Sequence, residues 1–277
     1  MLSLNISKRA LTALAMAVPL VCASGLAVAD PITGTNTRPV PIDAPSYGPS
    51  MQEMLDTTFG AGLVNAVTDQ SNAAMWATSA LPPAATVAPH LSFEYLCAGS
   101  DCSSTNFQTF GLFSATDTSG PISIAPIFNG PAVAGANAFL DWLDADTVQI
   151  TGLSPGVTTG LFNGITRNNF GFYYQYQGDT RLYSYDGLNP TGSQTQAAML
   201  AYQRAPGSDT WLLAFDANAS PFQSQAAGTL DYNDMVVKIE SITPVPEPET
   251  YAMLGAGLLL MGFVARRRQK RSDLLAA

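Results

Sequence analysis

Apolar and polar residues alternate with a period of two in one short segment after another beyond Pro89. Leu91, Phe93, Tyr95 and Cys97 alternate with Ser92 and Glu94. Residues 107–113, 147–151, 170–177, 181–185, 198–204, 211–215 and 235–240 are likewise rich in aromatic and β-branched side chains and bounded by Gly, Pro, Asn and Asp. In the last of these, Met235, Val237 and Ile239 point one way and Lys238 and Glu240 the other. Many short strands separated by turn signals predict a mainly β domain, an antiparallel β-sandwich or jelly roll. Phe110-Gly-Leu-Phe113 and Phe170-Gly-Phe-Tyr173 echo one another. Chance accounts for a four-residue match, and facing strands in two sheets are the structural alternative.

The approach to this region reads differently. Residues 30–49 contain five prolines and predict an extended linker. Ser50-Met-Gln-Glu53 is a capping box, in which the Ser hydroxyl takes an orphan amide and the Glu reaches back. A short helix over 51–59 should follow, burying Met51, Met54 and Leu55, with Gly60 and Gly62 ending it. The β domain then spans 50–243.

Both ends of the chain differ from its middle. Lys8 and Arg9 precede an apolar stretch, Ala10 to Leu20, and Ala27-Val-Ala29 is an Ala-x-Ala cleavage site. Residues 1–29 therefore read as a signal peptide for the secretion machinery, with the mature chain starting at Asp30 and Cys22 removed. At the other end Pro246-Glu-Pro248 leads into 16 uncharged residues, 250–265, and then Arg266, Arg267, Arg268, Lys270 and Arg271. As a transmembrane helix that run spans about 24 Å, some 6 Å short of a ~30 Å hydrocarbon core. The basic cluster should stay cytoplasmic, which places residues 30–245 outside. The prolines hold the preceding segment extended, in a form a protease can take.

The succession of Pro-Glu-Pro, short apolar helix and Arg cluster over 244–271 resembles the PEP-CTERM sorting signal of exported bacterial proteins. The resemblance implies recognition by an exosortase-type enzyme and cleavage near Pro246 to Pro248. It also implies a transient hold in the inner membrane and transfer to the cell surface or extracellular matrix.

Residues 30–245 carry 18 acidic and 5 basic side chains, a net formal charge of −13. The whole chain shows only −9, because most of its cations lie in the terminal segments. Nucleic acid and anionic surfaces should repel such a domain, and divalent cations should be drawn to it. Asp231-Tyr-Asn-Asp234 precedes the last strand and Asp216 ends an earlier one. Asp216, Asp231, Asn233 and Asp234 could converge at one edge of a sandwich, where calcium tolerates an irregular oxygen set. The same residue types open turns by bonding their own backbone, and that reading is favoured. The residues establish no cofactor with certainty, and calcium is the one candidate. Cys97 and Cys102, close in sequence in an oxidising compartment, favour a disulfide over two free thiols. A zinc site fits poorly, since His90 is the chain's one histidine.

Residues 50–241 are also similar to a family of exported bacterial domains without an assigned activity, in which an Asp-Tyr-Asn-Asp segment starts the final strand. Met51-Gln-Glu-Met-Leu-Asp56, Val67-Thr-Asp-Gln70, Thr109-Phe-Gly-Leu-Phe113, Asn169-Phe-Gly-Phe172 and Gly187-Leu-Asn-Pro190 follow in the family's order. Gly228-Thr-Leu230 stands where such proteins often have a more acidic approach, which removes a possible metal ligand.

The sequence gives catalysis little to work with. His90 is without a Gly-x-Ser-x-Gly elbow, and neither a Gly-rich phosphate loop nor His-Glu-x-x-His occurs. Asp141, Asp144 and Asp146 could pair as carboxylates for glycoside hydrolysis, but they read as a solvated loop. A non-catalytic structural or matrix component is the first expectation. A carbohydrate- or ligand-binding sandwich is the second, with extracellular polysaccharide as its partner. That alternative calls for exposed rings from Phe172-Tyr-Tyr-Gln-Tyr176, Tyr183 or Tyr185, whereas aromatics in strands usually fill the core.

Overall fold

A computed structural model of the chain describes residues 38–45, 48–78, 90–96, 108–115, 121–130, 132, 134–175, 181–189, 197–216, 230–245 and 255–262. One helix opens the domain, α1 (Met51–Phe59), and strands follow: β1 (Gln70–Ser71), β2 (Trp76–Thr78), β3 (His90–Leu96), β4 (Thr109–Ala115), β5 (Ile122–Asn129), β6 (Asn137–Trp142) and β7 (Thr147–Thr151). The remainder are β8 (Gly160–Asn163), β9 (Gly171–Gln175), β10 (Arg181–Tyr183), β11 (Met199–Gln203), β12 (Trp211–Phe215), β13 (Met235–Ile239) and β14 (Ile242–Pro244). They form an eight-stranded sheet, order β1-β11-β12-β13-β3-β6-β7-β8, a four-stranded sheet, β10-β9-β4-β5, and the pair β14-β2. Neighbouring strands pair antiparallel throughout.

The two larger sheets share one core. Alternate residues of the large sheet, among them Leu140, Ile150, Leu213, Phe215 and Val237, cluster with Phe110, Leu112, Phe172 and Tyr174 of the small one. Phe215 touches both Phe110 and Tyr174, with ring centroids 6.1 and 5.9 Å apart. Trp76 stands edge-on to Phe172 and Trp211 at 5.2 and 6.2 Å. This is the face-to-face packing of a sandwich. Strands consecutive in the chain lie side by side in β6-β7-β8 and β11-β12-β13, and β3 joins these two meanders within the large sheet.

The large sheet is covered twice on one half. Leu200, Tyr202, Leu212, Ala214 and Val236 turn away from the shared core and meet Met51, Met54, Leu55 and Phe59 of α1. Burial on both faces explains why β11 to β13 read as nearly unbroken apolar runs. The capping box forms as expected: the Ser50 hydroxyl accepts from the Glu53 N–H at 3.3 Å, and Glu53 Oε2 accepts from the Ser50 N–H at 2.7 Å. Gly60 ends the helix at φ 110°, a conformation open to glycine.

The proline-rich approach is, from Arg38 on, part of the domain rather than a linker. Val40 is buried, and the Gln70 side chain brackets it: Gln70 Oε1 accepts from the Val40 N–H at 2.8 Å and Nε2 donates to the Val40 carbonyl at 2.9 Å. Arg38 donates to the Met199 carbonyl at 2.9 Å and pairs with Asp186 at 3.4 Å, both side chains almost wholly buried.

The two echoing segments are neighbours in one sheet, not facing strands in two. In the β4–β9 register Phe113 lies opposite Gly171, and Gly111 opposite Tyr173. Each glycine leaves room for the ring across from it. A Cβ on Gly171 would collide with the Phe113 ring, and one on Gly111 would lie 2.7 Å from Tyr173.

Candidate functional site

The end of the domain is built by β14. Its residues Ile242, Thr243 and Pro244 pair with Thr78, Ala77 and Trp76, and the Val245 N–H donates to the Met75 carbonyl at 2.9 Å. Ile242 is fully buried, and its N–H donates to the Asp209 carbonyl at 3.2 Å. The strand beneath is fastened in turn, because Trp76 and Phe170 exchange backbone bonds of 2.7 and 2.9 Å. β13 turns into β14 through Ser241, which takes a left-handed φ of 65°. Sequence reading missed β2 and β14, because three-residue strands are too short to show a period. Pro246, Glu247, Pro248, Arg266, Arg267, Arg268, Lys270 and Arg271 lie outside the described residues, as do Ala27, Ala29, Cys97 and Cys102. Residues 255–262 of the uncharged run are helical, and Leu258, Leu259, Leu260 and Met261 are exposed. No helix among the described residues is long and apolar enough to cross a membrane.

Asp216 and the Asp231 to Asp234 segment do come together, and their geometry is that of a turn. Asp216, fully buried at the end of β12, accepts the Tyr232 N–H at 3.0 Å. That bond holds Tyr232 at φ 55°, a left-handed conformation that costs a non-glycine residue about 1–2 kcal/mol. The Tyr232 ring enters the layer under α1, and its hydroxyl donates to the Ala197 carbonyl at 2.8 Å. Burial, and then the Asp216 charge, push the Tyr232 phenol well above its usual range. Asp231 Oδ1 accepts the Asn233 N–H at 3.4 Å, and the Asn233 side chain donates to the Pro49 carbonyl at 3.4 Å. Asp43 joins the same edge, exchanging bonds of 2.9 Å with Leu230. Among the described residues no group of three or more His, Cys, Asp and Glu side chains could hold a metal ion.

The remaining candidates are spread apart. Asp141 is exposed on β6, not in a loop as expected. Asp144 closes the following turn, accepting the N–H groups of Asp146 and Thr147 at 3.0 and 2.7 Å. The Asp146 N–H, followed by the Thr147 side chain, holds the Asp144 carboxyl below its usual range, the opposite of what a general acid requires. Phe172, Tyr173, Tyr174, Tyr183 and Tyr185 are all buried and pack within the domain, while Tyr176 lies outside the described residues. Tyr173, Tyr183 and Tyr185 make a third apolar cluster with Phe113 on the outer face of the small sheet.

Against this geometry the comparisons with known proteins are specific at one place. The PEP-CTERM protein-sorting motif matches residues 244–268, so it begins on the last residue of β14. No curated protein and no solved structure matches the chain. The motif marks an exported protein that meets an exosortase-type enzyme at the membrane. The one stretch that the comparisons assign is thus the tail that follows the β domain.

Proposed function

We propose that this chain is an exported, non-catalytic structural protein, sorted to the cell surface or extracellular matrix. The secretion machinery delivers it, residues 250–265 hold it briefly in the inner membrane, and the exosortase-type enzyme cuts the tail at Pro246 to Pro248. The observation that carries this reading is the sorting motif beginning where the folded domain ends. The burial of the tyrosines and the turn role of Asp144 and Asp216 support a delivered structural body over a sugar-binding or hydrolytic one. The apolar run supports a temporary hold, being about 6 Å short of the bilayer core. Glu247→Ala tests it. In a host with the sorting enzyme, the variant should be exported yet remain full length in the membrane fraction. Equal processing of the variant and the parent chain would refute the assignment of the motif as the recognition element.

A further inference from the structure

The fold's grip on the chain runs into the sorting motif. The motif opens at Pro244, opposite Trp76 in the β2–β14 pair, and Val245 is still bonded to Met75 at 2.9 Å. Hydrogen-bonded positions alternate along an antiparallel pair, so Thr243 and Ala77 form the next bonded pair. Glu247 comes only two residues after Val245. One way proteins hold an extended peptide is through its main-chain hydrogen-bonding groups, which must be free of other partners. On the domain side of the motif the backbone groups of Thr243 and Val245 already belong to β2. Retreat of the domain cannot free more chain. Thr250, where the uncharged run starts, is five residues past Val245, a reach of about 18 Å at full extension.

We propose that β14 is a gate on sorting: it must peel from β2 before the exosortase-type enzyme can take the motif, so processing follows the local opening of this strand. The inference rests on the reading that the tail is cut at Pro246 to Pro248. The peeling is local, because β14 is three residues long and Thr243 and Pro244 are exposed, while Trp76 beneath stays bonded to Phe170. Where opening and closing are fast relative to cutting, the cutting rate scales with the open population.

Pulse-chase labelling of the full chain in a host with the sorting enzyme tests the gate. An insertion of about ten Gly and Ser residues between Val245 and Pro246 leaves β14 paired and frees Pro246 to Pro248. Processing should quicken by about tenfold, the order of the opening cost of one or two ladder bonds. The paired variant Thr243→Cys with Ala77→Cys locks the strand, since opposed bonded positions lie about 5.5 Å apart, within disulfide range. The locked chain should be processed at least about tenfold more slowly, and adding the same insertion to it should restore processing. This rescue shows that the locked chain is folded and exported. An insertion variant cut no faster than the parent, or a locked chain cut at the parent's rate, overturns the gate. A parent chain that is never cut overturns the processing reading itself, and no variant is then processed either.

Discussion

Replacing Asp216 with Ala separates a structural turn from a ligand site. The carboxylate is fully buried and accepts the Tyr232 N–H at 3.0 Å. A hydrogen bond to a charged group contributes about 1.5–3 kcal/mol, and its loss leaves a buried donor without its acceptor. The left-handed backbone of Tyr232 then loses this support and keeps only its ring packing and its bond to Ala197, so the loss should be about 2–3 kcal/mol. For a domain of this size 1 kcal/mol moves the midpoint by about 2–4 °C. The exported protein should therefore melt about 4–12 °C lower by circular dichroism. Asp216→Asn keeps an oxygen at the same place and should lose roughly half as much. On the turn account millimolar calcium leaves both melts where they were. A bound ion at about 100 times its dissociation constant would add about 2.7 kcal/mol. The reasoning is refuted if Asp216→Ala melts like the parent while calcium raises the parent's midpoint and not the variant's.

Three further outcomes follow from the structure. Burial raises the Tyr173 phenol to about 12 and pushes Tyr202 and Tyr232 higher still, whereas an unfolded tyrosine titrates near ~10. The stability these phenols contribute is thus intact below about pH 10 and declines as pH rises through their folded values, so phenolate absorbance should appear together with the loss of far-ultraviolet dichroism. Gly171→Ala should cost about 1–3 kcal/mol in a chemical melt, because its Cβ meets the Phe113 ring and lies 2.8 Å from Ser184 Oγ; Gly160→Ala, whose nearest neighbour is 3.6 Å away, should cost far less. Mass spectrometry of the exported protein should find Cys97 joined to Cys102, and two free thiols would exclude the bond.

How much of this was readable in the residues depends on burial and length. The strands at 147–151 and 211–215 fall where the pattern placed them, and α1 announces itself through Ser50 and Glu53. β5 was hidden by Pro126, which the sheet accepts because β5 is an edge strand and the register slips beside that residue. β6 was hidden by its charge: Asp141 belongs to an acidic run that looked like a loop, yet Ala138, Leu140 and Trp142 alternate inward on either side of it. The tyrosines of β9 were ambiguous because both faces of that strand are covered, Tyr174 in the shared core and Tyr173 in the outer cluster. The Asp-Tyr-Asn-Asp segment showed the right residues but not their purpose. Only the fold reveals that Asp216, fifteen residues before Asp231, holds the left-handed tyrosine that follows Asp231. The buried Arg38–Asp186 pair joins residues far apart in sequence and carries no local signal at all.

The most direct test of a processed tail is the intact mass of the mature wild-type chain, recovered from a host that carries the sorting enzyme. The account predicts a chain starting at Asp30 and lacking the residues beyond a cut within Pro246 to Pro248. A mature chain that still ends at Ala277 would show that residues 250–265 are a permanent anchor, and the account would be wrong.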